Sequence, residues 1–503
     1  MNALLVVVLA VPLAGAAVLA VWRGGDRGAK ALGVAVAAVA FLASVLLAVD
    51  RAGSRPGRPV NPWHDLDARW VPALGLRFHL GVDGISYPLV VLTTLLVLAC
   101  AVYTLYTVPE PGRPATLLAL VFVLEVGMVG TFLALDLLLF FVFFELVLAP
   151  MYFLIAGWGH QPGGRHAAVK FILYTLLGSV LLVVGLLTVY AHAHTLDIPT
   201  LTARHGAGLG HGTQVAAFLA IAAGFAVKSP LFPLHSWLPD AHTEAPTVGS
   251  VLLAGVLLKM GTYGLIRIGL PVLPDGARTL APALAVLAVV GIFWGGLCCL
   301  AQTHLKRLIA YSSVGHMGFV LLGIATLTRT GIQAALIGNV AHGLVTSLLF
   351  FLAGALYERR HSFDLGEYGH GATTRVPRLG GLLVFAAIAS LGLPGLAGFW
   401  GELFAVFAAF RPAAALPHGL YTVLGTAAAF GAALAAVYFL RLLWYVAHGQ
   451  PRPPAWPSTA DAGRLELLAW SPLVLGALAL GLWPRIVLDL TDGPVRALVG
   501  VLS

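Results

Sequence analysis

FAVKSPLFPLHSWLPDAHTEAPTVGSVLLAGVLLKMGTYGL, residues 225–265, decides the fold. Its second half is an apolar run of membrane-spanning length with a lysine, Lys259, at its centre, among small residues such as Gly255 and Gly261 that let helices pack closely. Its first half closes another apolar run at Lys228 and then sets Pro230 and Pro233 where that helix would continue. A proline removes a backbone donor and frees a carbonyl, which a membrane tolerates only where protein or cavity water satisfies it. The stretch therefore reads as a broken membrane helix beside a wet site, followed by a helix that turns a cation toward protein.

Working outward, 59% hydrophobic against 10% charged residues over 503 positions excludes a soluble chain. Apolar runs long enough to span lie near 3–21, 30–49, 85–106, 115–135, 137–156, 168–190, 213–231, 247–268, 279–300, 307–326, 332–357, 380–410, 418–447 and 467–486. The expectation is an all-α polytopic membrane protein of about 14 transmembrane helices, one integral membrane domain over 1–503. The twelfth span, ASLGLPGLAGFWGELFAVFAAF at 389–410, repeats the pairing of breaker and ionisable group, with Pro394 ahead of Glu402. Two interrupted helices in corresponding positions point to inverted repeats. Helices four to eight and nine to thirteen would form two such five-helix units, with broken helices 7 and 12 and with Lys228 and Glu402 in equivalent places. The long connection from Asp50 to Gly84, with Pro56, Pro59, Pro62 and Pro72, sits in water or caps the bundle, and Gly206, Gly208 and Gly210 mark a loop.

Loops after odd-numbered helices hold about twice the Lys and Arg of the others, Arg113, Arg165, Arg359, Arg360 and Arg452 among them, which places both termini outside. The first helix starts without a basic leader or a cleavage site and reads as a retained span. Arginine far outnumbers lysine, and alanine and glycine abound, as in a bacterial chain of a plasma membrane.

The net charge of +8 is too scattered for nucleic acid. Cys100, Cys298 and Cys299 supply no disulfide framework and no zinc or iron-sulfur ligand set. Neither a dinucleotide fingerprint nor a P-loop is present. No cofactor is expected in this chain, and no metal.

An ionisable group at mid-bilayer costs roughly 2.5–3.5 kcal/mol on insertion scales and usually marks function. Glu125, Glu145, Lys228, Lys259 and Glu402 qualify, with His316 and His342 as polar companions. Glu145 lies about two and a half turns past Asp136 and should be deep. A buried Glu–Lys pair also serves as structural glue, but insertion cost makes that an expensive choice. His316 and His342, taken alone, fit helix packing as well as proton relay. Glu125 fits either a hydrogen bond to a neighbouring helix or a functional role. Asp240, His242 and Glu244 resemble a metal cluster but follow Trp237 and Pro239 in an interfacial turn, so metal is not expected there. Asp136 is placed to cap a helix N-terminus.

The runs FFELVLAPMYFLIAGWG (143–159), 225–265, QTHLKRLIAYSSVGHMGF (302–319) and LYERRH (356–361) closely resemble subunit M of proton-pumping NADH-quinone oxidoreductase, the antiporter-like membrane-arm subunit of respiratory complex I. The resemblance covers roughly residues 80–450. Subunits L and N, Mrp-type antiporter subunits and energy-converting hydrogenases are the competing relatives. Subunit M places a Glu on the broken twelfth helix where the others usually place a Lys, and Glu402 fits it; the Tyr357–Arg359 tripeptide also looks like subunit M. The chain stops soon after its fourteenth span, whereas subunit L carries a further lateral helix.

The resemblance implies a proton-translocating core over about 115–447, with Glu145 and Lys228 as a coupled pair, Lys259 as central relay, His316 and His342 as its connection, and Glu402 as the outward group. It further implies FMN, iron-sulfur clusters and quinone in partner subunits, with L-type and N-type subunits and membrane lipid as neighbours. Desolvation disfavours both charged forms of a Glu–Lys pair while each opposite charge favours the other, so such a pair has two competing states. Separating it would release the lysine's proton toward Lys259.

Overall fold

In a computed structural model of the chain, residues 3–49, 60–71, 75–159, 163–448 and 461–502 are described. Pro56, Pro59, Pro72 and Arg452 lie outside them. Backbone in lipid must satisfy its own hydrogen bonds, and the apolar runs accordingly close into helices. They are α1 (Ala3–Ala20), α2 (Asp26–Leu46), α3 (Tyr87–Tyr106), α4 (Pro114–Leu133), α5 (Leu137–Leu146), α6 (Leu148–Trp158), α7 (Gly164–Ala193), the short α8 (Ile198–Arg204), α9 (His211–Lys228) and α10 (Trp237–Glu244). After α11 (Thr247–Val272) come α12 (Pro274–Ala301), α13 (Leu305–Ala325), α14 (Arg329–Arg360), α15 (Pro377–Ser390), α16 (Ala397–Ala409), α17 (His418–Val446), α18 (Arg464–Leu482) and α19 (Arg485–Leu502). Among the described residues twelve helical spans are long and apolar enough to cross a membrane, α5 and α6 together (Leu137–Trp158) making one of them. The expected seventh and twelfth spans are each split, as α9 with α10 and α15 with α16.

The first break follows from its prolines. Pro230 cannot donate to the Ala226 carbonyl, so Leu231 N donates to it at 3.0 Å, while the Val227 carbonyl accepts from the Trp237 indole at 3.1 Å. The second break uses glycine, with Gly392 at φ +78° and Gly395 at φ +91°, a region other residues rarely adopt. The two ionisable groups are not placed alike, contrary to the expected equivalence. Lys228 closes the half-helix before its break, whereas Glu402 lies on the half-helix after its own. The reason is the proline position, two residues past Lys228 and eight before Glu402.

The middle of the bundle is α11 and α14, whose spanning windows are wholly buried, while α1, α2, α7, α17 and α18 present most of theirs outward. This central pair carries Lys259, Thr262 and Arg267 on α11 and Asn339, His342 and Thr346 on α14, all buried.

Two features were not expected. The long connection after α2 contains an antiparallel hairpin, β1 (His64–Val71) with β2 (Leu76–Val82), tied to the bundle by a bridge between Leu80 and Ala134. The amphipathic α19 follows the last span and lies along one end of the bundle, where Asp492 pairs with Arg329 and the Leu502 carbonyl accepts from Arg278 at 3.0 Å. The hairpin and α19 share that end, since Gly84 packs against the Leu490 carbonyl.

Candidate functional site

Lys259 sits in α11 between two π-helical turns, Leu253–Leu257 and Leu265–Gly269. Such bulges widen a helix locally and concentrate at functional sites. The Lys259 ammonium is fully buried, donates to the Ala254 carbonyl, and lies 2.5 Å from His342 Nδ1 on α14. The His342 ring lies 5.8 Å, centre to centre, from that of His316 on α13. His316 Nδ1 is 2.8 Å from Glu402 Oε1 on α16, and its Nε2 is 3.0 Å from the Ser390 hydroxyl at the end of α15. Four of the six residues singled out from the sequence thus form one string across α11, α14, α13 and α16.

The string has one gap, between the two imidazoles. A cavity of about 30 Å³ lies there, bounded by His316, His342, Thr346, Ser390 and Glu402. One water needs roughly 10–15 Å³ by the same measure, so the gap has room for water. His342 Nε2 has no hydrogen-bond partner among the described residues and is the atom such a water would serve. A lysine exchanges its proton at its one nitrogen, whereas an imidazole or a carboxyl can gain a proton at one atom and lose one at another, so the four groups joined through water suit transfer along the row.

Glu145 and Lys228 are arranged differently. Glu145 stands where its spacing from Asp136 puts it along α5, but it is half-buried on the flank, between exposed Val142 and Leu146. Its helix lies at the side of the bundle, which leaves the carboxyl half-buried at that depth. Its Oε1 accepts from the Ser179 hydroxyl at 2.5 Å. Lys228, 2% exposed, donates to the Phe144 carbonyl at 3.4 Å and lies 4.4 Å from the centre of the Phe144 ring. Among the described residues no ion pair joins the two. Between Lys228 and Lys259 the helices meet through Gly261, against the Ser229 hydroxyl and the Phe225 carbonyl.

Asp136 is the N-cap of α5, accepting from Leu138 N at 2.9 Å and Leu139 N at 3.0 Å. Glu125 is fully buried on α4, and both carboxyl oxygens lack a partner among the described residues. The Asp240–Glu244 cluster divides: Asp240 pairs with Lys170 at 2.6 Å and Arg307 at 3.2 Å, while the His242 ring is buried against Phe350.

Sequence reasoning missed several polar partners. Arg267 and Asp83, each 2% exposed, form an ion pair at 2.5 Å that ties α11 to the start of α3. Arg267, eight residues past Lys259 in the same apolar run, carried that signal. Ser179 and Ser390 carried none, since a serine in an apolar helix is ordinary. At the hairpin end, His79 lies between Asp197 at 2.7 Å and Asp65 at 2.9 Å. Burial disfavours its charged ring, but the hydrogen bonds to Asp197 and Asp65 outweigh that and raise its pKa to about 9.

The chain is similar in sequence and fold to known proteins. The sequence profile of the NADH:quinone oxidoreductase/Mrp antiporter transmembrane family matches residues 134–426. NADH-quinone oxidoreductase subunit M of Rhodobacter capsulatus is 40% identical over 518 residues, covering 99% of this chain and 97% of the relative. A chain of respiratory complex I from Thermus thermophilus, solved with bound NADH, is similar in structure with a TM-score of 0.88 at 28% identity, covering 99% of this chain and 100% of that one. A chain of the Mrp complex from Dietzia sp. DQ12-45-1b gives a TM-score of 0.86 at 22% identity over 100% of this chain and 99% of that one, a likeness of fold.

Proposed function

The chain belongs to the NADH:quinone oxidoreductase/Mrp antiporter transmembrane family, among its subunit M members, and from that premise we propose how its own residues move protons. It is a proton-translocating membrane-arm subunit of an NADH:quinone oxidoreductase, and other subunits of that complex are its partners. The route runs from Lys259 through His342 and the intervening cavity to His316 and Glu402. The observation that carries it is the string itself, with 2.5 Å at one end, 2.8 Å at the other and a cavity of about 30 Å³ between.

Lys228 and Glu145 act as the coupled pair that biases the route. When they approach, each stabilises the charge of the other; when they separate, Lys228 holds its proton less firmly and can pass it inward. Lys259 then donates to His342 Nδ1, and His342 releases its other proton from Nε2 to cavity water. His316 takes up that proton and passes one to Glu402, and the row returns to its starting state when Glu402 releases its proton outward, Lys228 is reprotonated from the other side and the imidazoles recover their first tautomers. The energy comes from electron transfer in other subunits, where FMN, iron-sulfur clusters and quinone reside. The neighbours in the membrane are the L-type and N-type subunits, the translocating core is about 115–447 with its two inverted repeats, and the membrane is a bacterial plasma membrane. The hairpin and both chain ends face outward, since the opposite end carries Arg113, Arg165, Arg359 and Arg360.

Glu402→Gln tests the outward group. It preserves size and a hydrogen-bonding contact with His316 but cannot ionise. NADH-driven proton transfer through this subunit is expected to fall by on the order of 100-fold, the lower range of a positioned proton-transfer group. The reading fails if an assembled Glu402→Gln complex pumps at the unaltered ratio of protons to NADH.

A further inference from the structure

We propose that the flank of the bundle at the hairpin end binds a phospholipid molecule, with one acyl chain in a groove between α5 and α7 and the phosphate at Arg69 on the hairpin. The groove has a volume of about 170 Å³ and is lined by Leu76 of β2, Leu137 and Phe141 of α5, and Val183, Leu187 and Tyr190 of α7 among others. Every lining side chain except that of Tyr190 is pure hydrocarbon. Such a surface gains nothing from water, whereas an acyl chain is as apolar as leucine and fills it. Tyr190 stands in the last turn of α7, an aromatic ring with a polar tip, as suits the level where hydrocarbon gives way to head groups.

Charge at the mouth of the groove selects the head group. Leu76 also lines a second hollow, of about 250 Å³, formed with Arg69, Gly75 and Arg77, so the groove opens directly onto the hairpin. Arg69 and Arg77 stand directly opposite each other across the two strands. Like charges so placed destabilise a sheet. Asp67 answers Arg77, whose Nε donates to it at 2.8 Å, and Asp65 and Asp197 are both turned to His79. Arg69 has no ion pair among the described residues. A phosphate in the hollow would accept from the Arg69 guanidinium, whose planar fork matches its oxygens, and would relieve the repulsion between the two arginines. Trp70, the next residue, is exposed, as an aromatic at head-group level is. One molecule that carries both an acyl chain and a phosphate fits the two hollows together.

The depth of the groove agrees with this occupant. α5 runs inward from the hairpin end and α7 returns to it, so Phe141 and Val183 close the inner end of the groove. One turn further in, about 6 Å along, the same two helices carry the contact between Glu145 and Ser179. The acyl chain is thus the apolar cover on the hairpin side of that contact. Binding does not depend on the proposed proton route, and failure of that route would leave it untouched.

The test places the assembled complex in vesicles of phosphatidylethanolamine and phosphatidylglycerol, with a trace of phosphatidylglycerol that carries a photoactivatable diazirine on one acyl chain. After illumination the labelled residues are mapped by peptide mass spectrometry. Label on α5 and α7 along the groove is compared with label on the exposed side of α2 around Leu42, which meets bulk lipid. The wild type is expected to carry more label in the groove than on α2. Arg69→Glu, which repels the phosphate, and Leu187→Trp, which fills the groove from its exposed lip, are each expected to bring groove label down to the level of α2. Both positions are exposed, and assembly is checked on a native gel. Groove label no greater than that of α2 in the wild type shows passing bulk lipid and overturns the proposal. So does groove label unchanged in Arg69→Glu, and so does a groove without label whose residues cross-link to a neighbouring subunit, since protein then covers it. The wild-type comparison alone decides if either variant fails to assemble.

Discussion

At the scale of single residues, cost separates function from glue. Lys259 and His342 are buried and bound to each other, and a hydrophobic pair of similar volume would usually be as stable or more so. Arg267 and Asp83 show what a structural pair looks like by contrast: a 2.5 Å contact, with Arg267 also donating to Tyr263, whose hydroxyl donates to the Phe132 carbonyl. Arg267→Ala strands a buried Asp83 and should cost about 3–5 kcal/mol, seen as a lower unfolding temperature of the solubilised complex. Equal thermal stability would show that Asp83 finds another partner. Glu145, Lys228, Lys259 and Glu402 were legible because charge in an apolar run is rare, whereas His316 and His342 gained a role only from the family resemblance. Asp240, His242 and Glu244 read as an interfacial turn after Trp237 and Pro239, and only the fold shows that Asp240 pairs with Lys170 and Arg307.

At the scale of elements, the breaks were legible because proline and glycine interrupt apolar runs, and the polar connection after α2 was legible as a cap. The hairpin within it was not, because β1 is mostly exposed and its charged residues obscure the alternation. The amphipathic α19 was missed because it lies along the bundle end and need not be apolar all round. Nor does periodicity reveal the two π turns around Lys259, which arise from packing against α14 and α9. That packing leaves no room at Gly261, where an added Cβ would come 2.2 Å from the Ser229 hydroxyl and 2.5 Å from the Phe225 carbonyl. Gly261→Val should therefore push α9 away from α11, at about 1–3 kcal/mol for overpacking. Reduced assembly on a native gel with unchanged transcript would bear this out; full assembly at growth temperature would mean that the helices slide.

At the scale of the whole molecule, the ends of the bundle differ in chemistry. The hairpin end is held by His79 between Asp65 and Asp197. Because His79 titrates near 9 when folded against 6.5 ordinarily, its contribution is fully present below about 6.5 and is lost as pH rises through 9. Hydrogen exchange in β1 and β2 should accordingly accelerate between pH 8 and 10, beyond the intrinsic rise, in the wild type and not in His79→Gln. An equal rise in both would remove the histidine from the clamp. The opposite end holds the excess of arginine. Between the two ends the buried row runs from helix to helix, from Lys259 on α11 through His342 and His316 to Glu402 on α16.

The most direct test of the route is the ratio of protons translocated to NADH oxidised in membranes carrying Lys259→Ala, with assembly confirmed by an NADH-stained native gel. The account predicts a normal band and a lowered ratio, because the string loses the group bound to His342. A normal band with an unchanged ratio would contradict it and leave the buried lysine a structural residue.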